Sequence, residues 1–562
     1  MSSPATGTPR DDFPPHGYLD NPAHSWKLNP SGVLRSRPPA GMGWHAPNYG
    51  SYGRNQFQYR AHLHVGIEVA GQRLLTPAEL QAARVPVGCD LRTKQRLRYV
   101  WTHPGGVRVT ATYLLVDEHA LGCRLTLERT AARDGSKTGD NLVVRLWLAQ
   151  EVAHNPAASR LWEYGLYAVL PGASDPATGP LGLLGVCPEG DAWVHGATAV
   201  AGQPLLPAAA QHDRAPWPLG AGAPVPPPER EPPALQTATL LLAYDLVLPP
   251  YAAVMVDAIL ARGVSGDRAL AQWHTARAGF AAALAARVDD DERFWRAAPQ
   301  LSGHWPAHWR RGLVTDLETL RMTVRPPSGV FARAWDGMQI QAPRAVLAET
   351  ALDALALAWA DPVLARGIVL ACFASAPRPN VPCMREDGSY NMVADDGAVC
   401  GTGPEWGWPL AVADALWRTS GDRDWLAALY PHAAAYLRWW LDTRMDGEGW
   451  LVHACSWESG QDVSRRFGTQ ETGGSDVRHL RPVDLQAATA QGCALLAAWA
   501  AALERPAAEI ARWRLDAEYL AQRTQSLWHD GWYRDYESRH RTWSKVRDPM
   551  QLAPLVAGVA AP

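Results

Sequence analysis

From about residue 96 to 262 apolar and polar positions alternate along the chain. Between Val107 and Val116, Val107, Val109, Ala111 and Tyr113 alternate with Arg108, Thr110 and Thr112, the period of a strand with one buried face. The stretch 96–102 is joined to it by His103-Pro-Gly-Gly106, a turn signal between two strands. Further strands are predicted near 120–131, 141–152, 165–171, 192–201 and 237–260. An antiparallel β-sandwich domain over 1–262 fits this set best. Residues 203–235 interrupt it with a proline-rich stretch ending PVPPPEREPP, read as an extended surface insertion.

After Gly263 the spacing becomes that of helices. An alanine-rich segment at 266–288 predicts a linker helix leading to Phe294-Trp295, within a linker at 263–300. Helices are then predicted at about 306–324, 343–359, 362–374, 406–419, 423–443, 482–503 and 506–528, with a last one starting near 548. Short or glycine-marked loops join them and no strand is expected between them, which describes an array of antiparallel helix pairs or a helical toroid over 301–562. No repeat of fixed length shows, so a solenoid of helical repeats is disfavoured.

Composition narrows the partners. Of 562 residues 47% are hydrophobic and 19% charged, the balance of a folded globular protein. A net charge of −3 without any Lys/Arg run argues against nucleic acid or an anionic membrane surface as the main partner, and leaves something small and weakly charged. The N-terminal residues carry no basic segment followed by an apolar one, and no run of about 18 apolar residues occurs anywhere, so a soluble cytoplasmic protein is expected. The eight cysteines are scattered without a C-x-x-C pair, although Cys383 and Cys400 bracket one loop and are candidates to approach each other. No D-x-D-x-D-G loop is present, and neither a metal nor a cofactor is expected. Twenty-six tryptophans against seven phenylalanines are unusual, because flat indoles stack on pyranose faces as well as filling cores.

Three loops in the helical part are dense in aromatic, acidic and glycine residues, and loops on one face of a helical scaffold are where a site is built. The first holds Trp335 and Asp336, readable as a core anchor and a helix cap or as a sugar platform with a hydroxyl acceptor. The second is long and ends in Glu405 and Trp406 at a helix entrance, both pocket candidates; its Asp387-Gly388 and Asp396-Gly397 pairs read as turn formers. The third, Ser456-Trp457-Glu458-Ser459-Gly460-Gln461-Asp462-Val463-Ser464-Arg465, places two carboxylates four residues apart beside an indole. Glycoside hydrolysis needs such a carboxylic acid held neutral near the leaving oxygen, with an apolar neighbour raising its pKa.

At this third loop the chain resembles the six-hairpin glycosidases of the glycoside hydrolase family 63, mannosylglycerate hydrolase and trehalase group. The match W-E-S-G-x-D, together with the earlier Trp335-Asp336, carries the resemblance. It implies an (α/α)6 toroid preceded by a β-sandwich, Asp462 as the general acid, Trp335 and Asp336 lining the pocket for the glycone (the sugar on the non-leaving side), and Trp457 and Glu458 shaping the surroundings of the acid. Gln461 stands where relatives often have Met or Trp. The resemblance further implies inversion, with a second carboxylate activating water roughly 6.5–9.5 Å from the acid. In relatives that base is a Glu well over a hundred residues beyond the acid, whereas 100 residues follow Asp462 here. About eight of twelve toroid helices are counted, and a chain truncated relative to its family, lacking the base, is expected. Glu537 is the late carboxylate in an aromatic setting and a weak substitute for that base.

The sequence therefore predicts an inverting α-glucosidase or α-mannosidase acting on a small oligosaccharide or glycoside. A non-catalytic carbohydrate-binding remnant and, behind it, a disaccharide phosphorylase are the alternatives. Sugar, linkage and oligomeric state are not legible.

Overall fold

The computed structural model describes residues 18–20, 25–28, 42–45, 57–75, 77–117, 120–130, 141–154, 163–169, 183–186, 193–196, 236–250, 253–263, 266–338, 344–386, 388–390, 392–468 and 473–560. The chain forms two compact units, Met1–Met322 and Thr323–Pro562. The proline-rich insertion expected at 203–235 lies outside the described residues.

In the first unit the alternation near 107 becomes the strand Val107–Asp117, which pairs antiparallel with Arg96–His103 on one side and Ala120–Arg129 on the other. These belong to a six-stranded sheet completed by Gly88–Arg92, Val254–Gly263 and Glu163–Val169. A second sheet of four strands is built from Gln236–Leu248, Leu142–His154, Phe57–Val69 and Gln72–Leu74. Tyr99, Trp101, Val109, Leu125 and Val256 of the first sheet share one buried core with Ile67, Val144, Leu146 and Leu248 of the second. That shared core is what the period-two pattern requires.

Helix α1 (Gly266–Ala297) runs past the predicted end at 288. Its Trp273, Ala276 and Phe280 bury against Leu114, Ala120 and Ile259 on the other face of the six-stranded sheet. Beyond 288 the helix carries an acidic run, 289–292, of which Asp290 and Asp291 are bound by Arg321. Asp291 accepts from Thr93 Oγ1 at 2.7 Å, Arg96 Nε at 2.9 Å and Arg321 Nη1 at 2.7 Å. Arg321 and Glu318 lie on α2 (Ala307–Thr323), where Glu318 accepts from Trp295 Nε1 at 2.6 Å and Lys94 N at 2.8 Å. This buried ion network ties nearly all of α2 to the first unit, although the sequence groups that helix with the toroid.

The second unit is an arc of helices: α3 (Leu347–Leu357), α4 (Pro362–Ala374), α5 (Pro409–Ser420), α6 (Arg423–Thr443), α7 (Val483–Ala502) and α8 (Ala507–Ser526). α3 packs on α5 and α5 on α7, while α4 packs on α6, the alternation of an inner and an outer ring. Tyr430 and Arg438 of α6 reach Glu509 and Asp516 of α8, continuing the outer ring. α7 is buried on all sides from Val483 to Ala490 and exposes only Ala494 and Ala498 between there and Ala500. Between the helices the structure adds two-residue strand pairs that the sequence does not predict, Val324–Arg325 with Trp335–Asp336 and Leu480–Arg481 with Tyr536–Glu537. Two residues are too few for a period to register. The apolar helix expected from 548 is a 3-10 turn, Pro549–Leu552, followed by one helical turn, Ala553–Val556, and Asp548 caps it with a reciprocal Gln551 contact. Among the described residues no helix is long and apolar enough to cross a membrane.

Candidate functional site

A cavity of about 430 Å3 opens at one end of this arc, within the usual range for small-molecule sites. Its walls come from the segment leading into α3, the long loop before α5 and the Trp-Glu-Ser-Gly loop after α6. Glu349, Arg344, Trp406, Trp457 and Asp462 bring polar and aromatic groups to it, and Val346 and Met392 complete apolar wall.

The 3-10 turn Ser456–Ser459 presents Trp457 and, beyond Gly460, Asp462. Glycine is needed at 460 because its φ is +71° and an added Cβ would lie 2.4 Å from the Trp406 indole. Gly473 serves Trp457 in the same way, with an added Cβ 2.2 Å from its Cδ1. Each indole of the cavity therefore lies directly on a glycine backbone. Ser456 Oγ donates to the main-chain oxygen of Asp462 at 2.6 Å, which fixes the loop where the carboxyl projects. Partial burial raises the Asp462 carboxyl above its ordinary value, the direction a proton donor requires.

Of the residues singled out in the sequence, Asp462, Trp406 and Trp457 meet at this cavity. Glu405 and Glu458 are wholly buried behind it. Glu458 takes a forked set of contacts from Arg444, with Nη2 to Oε1 at 2.7 Å and Nε to Oε2 at 3.0 Å, and accepts the backbone N–H of Ala454 at 2.7 Å. It holds the base of the loop and does not face the cavity. Glu405 Oε1 meets His453 Nε2 at 2.7 Å. Burial raises the Glu405 carboxyl, with His453 opposing; burial alone would lower His453, but Glu405 outweighs it and holds the imidazole up. Trp335 is buried, stacked on Phe331 at 4.3 Å with Nε1 donating to Ser328 Oγ at 3.0 Å, and is a core anchor. Asp336 is buried too, accepting from Thr350 Oγ1 at 3.3 Å. Glu537 is engaged by His540, whose Nδ1 lies 2.8 Å away. The thiol of Cys400 meets Cys455, at 2.8 Å, and Cys383 meets Met392, so the pairing that the loop suggests does not form.

Glu349, in the first turn of α3, is absent from the sequence reading. Burial pushes its carboxyl up to about 7, helped by the charges of Asp336 and Asp462, and its Oε2 is buried without a hydrogen-bond partner. One turn on, Asp353 is also raised to about 7 by burial and then by Asp336 and Glu349. A signal for this cluster exists in the sequence: Leu-Ala-Glu-Thr-Ala-Leu-Asp is apolar apart from two carboxylates and a threonine, and the carboxylates stand four apart on one helix face. The arrangement can hold a hydroxylated ring against two indoles, accept its hydroxyls at Glu349 and deliver a proton from Asp462.

Part of the chain matches a known family profile. Residues 342–562 match the profile of the mannosylglycerate hydrolase MGH1-like glycoside hydrolase domain. Among solved structures, the chain is similar to the glycoside hydrolase family 63 mannosylglycerate hydrolase of Thermus thermophilus in complex with Tris, at 18% identity and TM-score 0.34, over 43% of this chain and 72% of that one. It is also similar to a bacterial glucoamylase complexed with acarbose, at 11% identity and TM-score 0.45, over 93% of this chain and 68% of that one. No curated protein matches the chain. The cavity's indoles and both of its carboxyl groups lie within residues 342–562, the stretch that matches this glycoside hydrolase profile.

Proposed function

We propose that the domain hydrolyses the glycosidic bond of a small α-glucoside or α-mannoside with inversion, and that Asp462 protonates the departing oxygen. The observation that carries this reading is the position of Asp462 on the cavity wall beside Trp406 and Trp457, with its carboxyl held toward the neutral form. The indoles take the apolar face of the pyranose, and Glu349, on the cavity wall, accepts glycone hydroxyls. Inversion asks that water attack from the face opposite the acid, with a carboxylate to activate it.

The test is hydrolysis of α-glucosides, α-mannosides and hexosyl glycerates by the full chain and by Asp462→Asn. Loss of the acid should cost about 10²–10⁴ in rate on substrates with poor leaving groups. Unchanged rates refute the assignment. Proton NMR of the first-formed sugar checks the stereochemistry, because inversion releases the β-anomer from an α-glycoside.

A further inference from the structure

Gln461, immediately before Asp462, and Ser464, two residues after it, are both held by one side chain from a distant part of the sequence. Gln461 Nε2 donates to Asp548 Oδ1 at 3.3 Å, and Ser464 Oγ donates to Asp548 Oδ2 at 3.1 Å. The other end of the Gln461 amide is also engaged, its Oε1 accepting from Arg466 Nη1 at 3.2 Å. Arg466 is itself buried between Asp484 and Asp535, at 2.7 and 3.0 Å. Asp548 in turn is fixed by the turn it caps, accepting from Met550 N at 3.0 Å, while its own N–H donates to Gln551 Oε1 at 3.3 Å. Gln551 Nε2 then returns to Asp535 at 3.4 Å, which closes the circuit. Loops alone leave such a proton donor free to swing, and a circuit of this kind removes that freedom.

The geometry points to Asp548 as a positioning residue for Asp462: its two carboxylate oxygens clamp the residue before the acid and the one two positions after it, and Gln461 links that clamp to buried Arg466. This rests on Asp462 being the proton donor. Asp548 does not face the cavity and touches no substrate. Its effect is on where the proton is delivered, so it falls on reactions whose leaving group needs that proton.

Leaving-group dependence is the measurement, made on the full chain with methyl and 2,4-dinitrophenyl α-mannosides and α-glucosides. Dinitrophenolate departs without protonation, whereas methoxide does not. Asp548→Ala is expected to lower kcat on the methyl glycoside about 10- to 100-fold, the scale of a misplaced catalytic group, with KM and the dinitrophenyl rate changed less than about threefold. Asp548→Asn, which retains an acceptor for Gln461 and a polar group for Ser464, should recover most of the loss. Gln461→Met also cuts the contact to Arg466 Nη1, and Ser464→Ala also removes the acceptor of the Arg466 N–H, but both leave the turn that Asp548 caps untouched, and they serve if Asp548→Ala fails to fold. If Asp462→Asn shows the leaving-group dependence but none of these variants does, or if they lower both substrates equally, the clamp is wrong and the donor stands. If Asp462→Asn has no such dependence, the donor reading falls and the clamp falls with it.

Discussion

Arg444→Ala removes the guanidinium from a carboxylate that has no access to water. Glu458 is fully buried and Arg444 nearly so, with three N···O contacts between them of 2.7 to 3.1 Å. Without Arg444, Glu458 keeps the backbone N–H groups of Ala454 and Gly401 but loses its counter-charge. Removing one partner of a buried pair costs about 3–5 kcal/mol, because the surviving charge is left uncompensated. For a unit of 240 residues, at about 2–4 °C per kcal/mol, the melting transition of the second unit should fall by roughly 6–20 °C. Scanning calorimetry at pH 7 reads it, with the transition of the first unit as an internal reference. Combining Arg444→Met with Glu458→Gln removes the charge and keeps an acceptor for one of the two N–H groups while the other meets the amide NH2, and should restore part of the loss. A single variant that melts within about 2 °C of the parent would show that the pair is not the anchor of this loop.

Glu349 gives the pH dependence. Its carboxyl is about 7 in the fold against 4.5 ordinarily, so the fold binds the proton more tightly than the unfolded chain does. Stability from this group is whole below about pH 4.5, declines as pH rises and is lost above about 7, a swing of up to about 3 kcal/mol. Glu349→Gln should therefore melt higher than the parent at pH 8 and level with it at pH 4, and KM should rise with kcat less affected; a pH-independent difference refutes the reasoning. Gly460→Ala forces an alanine into left-handed backbone against the Trp406 indole, for roughly 2–4 kcal/mol, and a urea midpoint equal to the parent's would refute it.

Helix boundaries were legible where a cap coincided with the apolar period. α4 and α6 begin after Asp361 and Asp422, whose side chains accept the N–H groups of Leu364 and Trp425, and both run as predicted. The turn at 103–106 is also where the sequence puts it, between Arg96–His103 and Val107–Asp117. The strand Phe57–Val69 was not anticipated, although Val65, Ile67 and Val69 show its buried alternation. α1 runs beyond the predicted 288 to Ala297, and Arg96 and Arg321 face Asp291 in that extension. That Asp462, Trp406 and Trp457 line one cavity was legible because they share short loops with glycine. Glu349 was not, since a carboxylate in an alanine-rich helix looks like an exposed position until the fold turns it inward. Trp335 had the opposite fate: Phe331 and Ser328, a few residues upstream, take up its ring and its N–H.

Each indole of the cavity rests on a glycine backbone, and this makes the pocket's room for change one-sided. Replacing Trp406 or Trp457 by a smaller residue enlarges the space without disturbing what lies beneath, but Gly460 and Gly473 cannot gain a side chain while the indoles stay. Variation can thus open the site toward bulkier or branched glycosides in single steps. Narrowing it from beneath requires a paired change, the indole surrendered at the moment the glycine is filled, so new selectivity for smaller sugars is the harder direction to reach.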